Sequence, residues 1–197
     1  MSIRAVVQTP VGTALIRDLE PTDIEPIVRY WYRSGEEHLD FMGIDLSRLG
    51  PEQQTYARFL TAVPSGDPDQ KTLAYSIHVN EEFAGYTLLN RYTALDNYSH
   101  WHITDPALRR SGLSTALYPH RIKTYFDSVP IERLIHQTRT RNVGVNRMLD
   151  KYIPVAETRY IENPDGVALP GEFNVRYVYR SDVPKLFEGP RSGNQRV

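Results

Sequence analysis

The sequence contains no cysteine. That absence excludes disulfides, cysteine-ligated zinc, iron–sulfur clusters and thiol nucleophiles, and it leans toward a reducing compartment. Also missing is any apolar run approaching the roughly 18 residues of a membrane span. The opening segment Met1-Ser2-Ile3-Arg4-Ala5-Val6-Val7 has no long apolar stretch of the signal-peptide kind. Nor is there an excess of charge of one sign. Lys and Arg number 23 against 24 Asp and Glu, a net charge of −1, so no global field draws nucleic acid or anionic lipid. The expectation is a cytoplasmic protein with no nucleic acid and no membrane among its partners. What is present is ordinary for a globular chain. Hydrophobic residues at 40% over 197 positions suffice for the core of one domain.

No repeat is visible at solenoid or propeller periods. Alternation around Ile3–Val7 and Thr13–Ile16 predicts two short strands. Thr22 or Asp23 can cap a helix with Ile24, Ile27, Val28, Trp31 and Tyr32 on its apolar face, ending by Ser34-Gly35. Phe41 to Gly50 reads as a loop. Pro51 starts a second helix with Tyr56, Phe59, Leu60 and Val63 as its apolar face. Thr72–Val79 and Phe83–Tyr92 read as a hairpin turning at Asn80-Glu81-Glu82, and Tyr98–Thr104 as a third strand. Gly112–Phe126 is helical, with Pro119 expected to kink or break it. Arg133–Thr138 is a strand, Asn142–Lys151 a helix, and Ala156–Ile161 and Phe173–Tyr179 two last strands. This order suggests one mixed sheet flanked by helices, a single domain over residues 1–182, with 183–197 as a C-terminal tail.

Pro106-Ala107-Leu108-Arg109-Arg110-Ser111-Gly112-Leu113-Ser114 joins a strand to a helix. A helix start offers unpaired backbone N–H groups and positive potential, which suits it to an anion. Gly112 allows close backbone approach, Ser114 is small, and Arg109 and Arg110 bring charge for phosphates. Arg109, Gly112 and Ser114 resemble the motif of the GNAT acyltransferases: Arg or Gln, two residues, Gly, one residue, then Gly or Ala. Ser at the last place is a mild departure. Asn142, with Lys151 nine residues later, is similar to the family's final helix.

The resemblance implies an α/β (α+β) fold, with a mixed, mostly antiparallel central sheet of about seven strands and about four flanking helices. It implies acetyl-CoA as co-substrate, with Arg109, Arg110, Ser111, Gly112, Leu113 and Ser114 on the pyrophosphate. Asn142 then lies on the pantetheine arm, and the backbone of His102, Ile103 and Thr104 pairs with that arm. The strands Tyr98–Thr104 and Arg133–Thr138 would splay apart. The family often forms homodimers, so the resemblance admits a homodimer without fixing the oligomeric state. Many members carry a tyrosine as general acid seven residues after the Asn. Leu149 stands there, and Tyr152 is the nearby substitute.

N-acetylation needs a neutral amine at the moment of attack, hence a base. His100 and His102 are two apart on one strand, share a face, and carry the side chain suited to neutral pH. They are the base candidates. Trp31, Tyr32, Glu36, Glu37, His38, Phe41 and Tyr56 are candidates for the acceptor wall, with Trp31, Tyr32, Glu37 and Phe41 foremost. Arg133, His136, Arg139, Arg141 and Arg147 form a local basic cluster, some of which would approach the adenosine 3′-phosphate. No metal-ligand spacing is present, so no metal is expected. The reading is an N-acetyltransferase for a primary amine of a small molecule. The alternatives are a protein or peptide N-acetyltransferase, and a non-catalytic acyl-CoA-binding sensor.

Overall fold

In a computed structural model that describes residues 2–189, eight strands form one sheet. They are β1 (Ile3–Thr9), β2 (Gly12–Asp18), β3 (Thr72–Val79), β4 (Glu82–Arg91), β5 (Asn97–Ile103), β6 (Arg133–Arg139), β7 (Glu157–Ile161) and β8 (Gly171–Tyr179). Their order is β1-β2-β3-β4-β5-β6-β8-β7. Every pairing is antiparallel except β5–β6, which is parallel. The mixed, mostly antiparallel expectation holds, with eight strands rather than about seven among the described residues.

The helices are α1 (Pro21–Arg33), α2 (Glu36–Met42), α3 (Glu52–Leu60), α4 (Leu113–Ser128), α5 (Val143–Asp150) and α6 (Val183–Leu186). Each face of the sheet has its own apolar layer, because alternate strand residues point to opposite sides. Ile24, Ile27 and Trp31 of α1 and Phe59 of α3 bury against Ala74 and Tyr86. On the opposite face, Leu117, Tyr118, Ile122 and Tyr125 of α4 and Leu149 of α5 bury against Ile16, Tyr75, Leu89, Leu134 and Val178.

Several local expectations need correction. Phe41 and Met42 belong to α2, not to a loop, and residues 46–48 form a 3-10 turn. On α3 the buried residues are Thr55 and Phe59, while Tyr56 and Leu60 are exposed. α4 runs unbroken through Pro119. Proline has no N–H, so the carbonyl four residues earlier, that of Thr115, loses its helical donor. The Tyr152 hydroxyl takes that place, donating to Thr115 O at 2.8 Å. The start of the expected tail is α6, with Leu186 in the core; residues 190–197 lie outside the described residues.

The feature that positions the site is the join between β5 and β6. They meet at one register pair, Tyr98 with Ile135. From there β5 stays with β4 out to Gly85–Ile103, and β6 stays with β8 out to Arg139–Phe173. The two half-sheets therefore diverge, and the edge of β5 facing β6 is left with unpaired backbone groups.

Candidate active site

The gap between β5 and β6 opens into a cavity of about 1060 Å³. One end lies at the start of α4. After β5, Pro106–Leu108 makes a 3-10 turn capped by Asp105, whose carboxylate accepts from Ala107 N at 2.9 Å. Arg110 (φ 61°) and Gly112 (φ 87°) both adopt left-handed backbone, and α4 begins at Leu113. Such alternation turns successive N–H groups into one concavity. Ser111 Oγ donates to Leu108 O at 2.7 Å and accepts from Leu113 N at 3.3 Å, bracing the loop from behind. The remaining first-turn N–H groups of α4 have no partner within the helix. Leu108, Arg109, Arg110, Gly112, Leu113, Ser114 and Thr115 line the cavity, whereas Ser111 does not. Arg109 also ties the loop to β5 through Ile103 O (3.2 Å) and Thr104 O (3.3 Å).

Across the gap, Asn142 caps α5 by accepting from Val145 N at 3.3 Å, and it lines the cavity together with Arg147 and Lys151. Ile103 lines it as well. Thr104 does not: its N–H goes to Ala84 O at 2.9 Å. The basic cluster read from sequence is not one patch. Arg133 pairs with Asp96, His136 lies under Tyr118, Arg139 donates to Leu169 O and Pro170 O, and Arg141 reaches Asp40 O. Of the cluster, His136, Arg139 and Arg147 line the cavity, and Arg147 is the exposed one, as are Arg110 and Lys151 in the same lining.

The other end is walled by α1, α2, β4, β5 and the loop 162–170. His100 and His102 both reach it, as their two-residue spacing requires, while Trp101 points to the opposite face under Arg121, 3.9 Å from its ring centroid. The two histidines differ in surroundings. His102 stacks on Tyr86 (5.2 Å between centroids), meets Trp31 edge-on, and has Nδ1 3.2 Å from Tyr30 Oη. Desolvation, with His100, His38 and Arg109 nearby, pushes its pKa down to about 3. Tyr30 Oη also lies 3.1 Å from His38 Nε2, and burial pushes this phenol up to about 12. His100 instead meets a carboxylate: Nε2 is 2.6 Å from Asp165 Oδ2.

Among the acceptor-wall candidates, Trp31, His38 and Phe41 line the cavity. Tyr32 does not; its hydroxyl is bound to Gly50 O (2.6 Å) and Thr55 Oγ1 (2.8 Å). Glu37 is exposed and away from the cavity. Tyr152, the substitute acid, is also turned away. It stacks on Tyr118 at 4.8 Å and serves the carbonyl orphaned by Pro119. Leu149 is fully buried in the core. Tyr30, Asn90 and Asp165 were not singled out from the sequence. The Pro164-Asp165-Gly166 turn was the available signal, but nothing local ties it to β5. No group of three or more potential metal ligands occurs among the described residues, and no helix there is long and apolar enough to cross a membrane.

The desolvated imidazoles, His136 in the core and half-buried His102 in the cavity wall, predict acid sensitivity. His102 is depressed to about 3, and His136, desolvated and beside Arg121, lies well below its ordinary value. Below pH ~6.5 the unfolded chain binds protons at these two sites that the folded chain refuses. Stability is therefore full above ~6.5 and falls as pH drops toward 3, by at most about 1.4 kcal/mol per unit for each imidazole. Urea midpoints should fall steadily across that window, and more shallowly in His102→Gln; a flat profile would contradict it.

No protein-family model and no curated protein matches this sequence. Solved structures do match. The chain is similar to Mycobacterium smegmatis RimJ in complex with CoA-disulfide, at TM-score 0.72 and 13% identity over 95% of this chain and 94% of that one. It is similar to RimL, a ribosomal L7/L12 alpha-N-protein acetyltransferase in complex with coenzyme A, at TM-score 0.70 and 12% identity over 90% and 98%. It is also similar to the aminoglycoside acetyltransferase AAC(6')-Ib in complex with coenzyme A and kanamycin, at TM-score 0.64 and 12% identity over 87% and 98%. With the splayed β5–β6 pair and the loop that opens α4, these likenesses identify the architecture: the chain has the GNAT acetyltransferase fold.

Proposed function

We propose that this protein is an acyltransferase that moves the acetyl group of acetyl-CoA to a primary amine of a small molecule. The observation that carries the reading is the continuity of one cavity. It runs from the helix-start loop 109–115, past the unpaired edge of β5, to His100 and His102. The residues present fit the co-substrate: exposed Arg110, Arg147 and Lys151 supply positive charge at the loop end, and the open β5 edge offers backbone partners to an extended amide chain. Acetyl-CoA supplies a thioester carbonyl activated toward amines. The chain's task is to hold it and to take a proton from the incoming nitrogen.

A small acceptor is favoured over a long peptide because the acceptor end is covered. The loop 164–170 is zipped to residues 43–48: Asp45 N donates to Val167 O and Leu169 N to Gly43 O, both at 2.7 Å. Arg48 adds bonds to Ala168 O (3.0 Å) and Pro164 O (3.2 Å). A polycation is disfavoured. Among the described residues Asp165 is the single carboxylate in the lining, already bound by three donors, and Arg58 and Arg139 stand in the same wall.

Acetyl-CoA at a hundredfold excess over Kd is expected to raise Tm by roughly 5–10 °C, since a ligand bound by the native state alone adds about 2.7 kcal/mol. Free-thiol release should then appear with single-amine aromatic or aliphatic acceptors and be weak with aminoglycosides. No stabilisation by acetyl-CoA would overturn the reading; stabilisation without turnover on any amine would favour the acyl-CoA sensor.

A further inference from the structure

We propose that Asp165 is the positioning residue for a His100 base, and that the loop carrying it joins closure of the acceptor end to activation of that base. The inference rests on the acyltransferase reading above and adds a residue to it. His100 stands on β5 opposite Leu88 and is 28% exposed; Asp165 is 6% exposed. The 2.6 Å contact joins His100 Nε2 to Asp165 Oδ2. An ionised carboxylate only accepts, so the neutral ring carries its hydrogen on Nε2. The lone pair is then left on Nδ1, which has no protein partner among the described residues. This is the logic by which a buried aspartate holds a catalytic histidine in its working tautomer.

The carboxylate is itself held. Asn90 Nδ2, from β4, donates to Oδ2 at 2.9 Å, and Tyr92 Oη, from the residue just after that strand, donates to Oδ1 at 2.5 Å. Burial alone would push the Asp165 pKa up, but the bonds from His100, Tyr92 and Asn90 outweigh it and hold it at about 2. The other titratable groups facing this pair are Tyr98 and His102 on β5 and His136 on β6.

A mere loop staple is a poor account of this aspartate. The segment is already fastened by its backbone bonds to 43–45, by Arg48, and by Arg139 at Leu169 O (2.9 Å) and Pro170 O (3.3 Å). A buried carboxylate costs more than a neutral side chain unless its charge is used. Gly166, at φ 71°, lets the turn fold back so that Asp165 reaches β4 and β5 beneath the cover. The base therefore acquires its carboxylate only when the loop is docked.

The step balances without a further reagent. A C–N bond forms between the amine and the acetyl carbonyl carbon, and the C–S bond breaks. The incoming ammonium loses two protons in all. His100 Nδ1 takes the first and passes it to solvent before attack. It takes the second as the amide forms and hands it to the leaving thiolate, which becomes the free thiol. The imidazole ends neutral and one proton is released per turnover.

Asp165→Asn in the full chain tests this. In the wild type, 15N spectra of the neutral His100 ring should show the hydrogen on Nε2, and in Asp165→Asn a mixture of both tautomers. At pH 7 kcat/KM should fall about 100-fold, with the acetyl-CoA thermal shift retained. The loss should shrink toward pH 10, where the amine is neutral without help. Tyr92→Phe, which removes one carboxylate anchor at an exposed position, should give a smaller loss with the same pH signature, should Asp165→Asn fail to fold. A pH-independent loss with an unchanged tautomer would reduce Asp165 to a staple and overturn the proposal, as would a wild-type ring protonated on Nδ1. If no amine is acetylated at all, the transferase reading fails while the ring spectrum still decides the pair.

Discussion

Replacement of His100 by glutamine is expected to lower kcat/KM for amine acetylation by about 100- to 1000-fold at pH 7. Glutamine retains an amide hydrogen for Asp165 and a similar volume, so the cover should stay docked and acetyl-CoA binding should be unchanged. What it cannot do is accept the amine's proton. An alkylammonium of pKa about 10.4 is neutral in only about one molecule in 2,500 at pH 7. The variant must wait for that fraction, so its activity should climb with pH toward 10, where the wild-type advantage fades. His102→Gln should behave differently. His102 is boxed by Tyr30, Trp31 and Tyr86 and held near pKa 3, so it exchanges no proton at neutral pH. Its loss should appear as lower stability, with the shape of the pH–rate profile kept. Thiol release from pH 6 to 10 on both variants separates the two histidines. A pH profile in His100→Gln that merely parallels the wild type would remove His100 from the chemistry.

Alanine at position 85 is expected to cost about 3 kcal/mol, lowering Tm by about 10 °C, although a single methyl group is added. Gly85 pairs with Ile103 at the end of the β4–β5 ladder. A Cβ there would fall inside the carbonyl oxygen of His102 and within 3.1 Å of Ile103 Cα, both backbone atoms that cannot swing away. The cause lies one residue earlier. The β3–β4 register passes from Ile77–Gly85 to His78–Phe83, so Ala84 is the extra residue of a bulge. Any relief must part β4 from β5 beside His102, so residual folded protein should also turn over poorly. Gly144→Ala is the control. Nothing lies within 4 Å of its Cβ position, and in α5 it should be neutral or stabilising by up to about 1 kcal/mol. Thermal unfolding of the two variants in parallel makes the comparison; equal Tm values would refute the close-approach argument.

Much of the fold was legible because it rests on local periodicity. Alternation marked the strands, and caps and prolines marked most helix starts. α2 was missed because Glu36–Met42 is seven residues long with one fully buried position, Leu39, too little for a helical period to register. Pro119 misled in an instructive way. Its cost is real, but a tyrosine 33 residues later supplies the missing donor, and that compensation has no sequence signature.

The site divides along the same line. Local pattern carried the order of the strands and of α1, α3, α4 and α5, the helix-start loop from Arg109 to Ser114, and the sharing of one face by His100 and His102. Each of these is a matter of spacing along one strand or one turn. Only the tertiary structure decided which histidine meets an acid, that Tyr152 is a strut, and that Glu37 and Tyr32 stand away from the cavity. Asp165 lies 65 residues from His100, and the contact exists because a loop between β7 and β8 folds over the end of β5 and locks onto residues 43–48. Chain-local patterns repeat every two or 3.6 residues and carry no information about a closure of that length, so the partner of the base became visible only once the sheet was assembled.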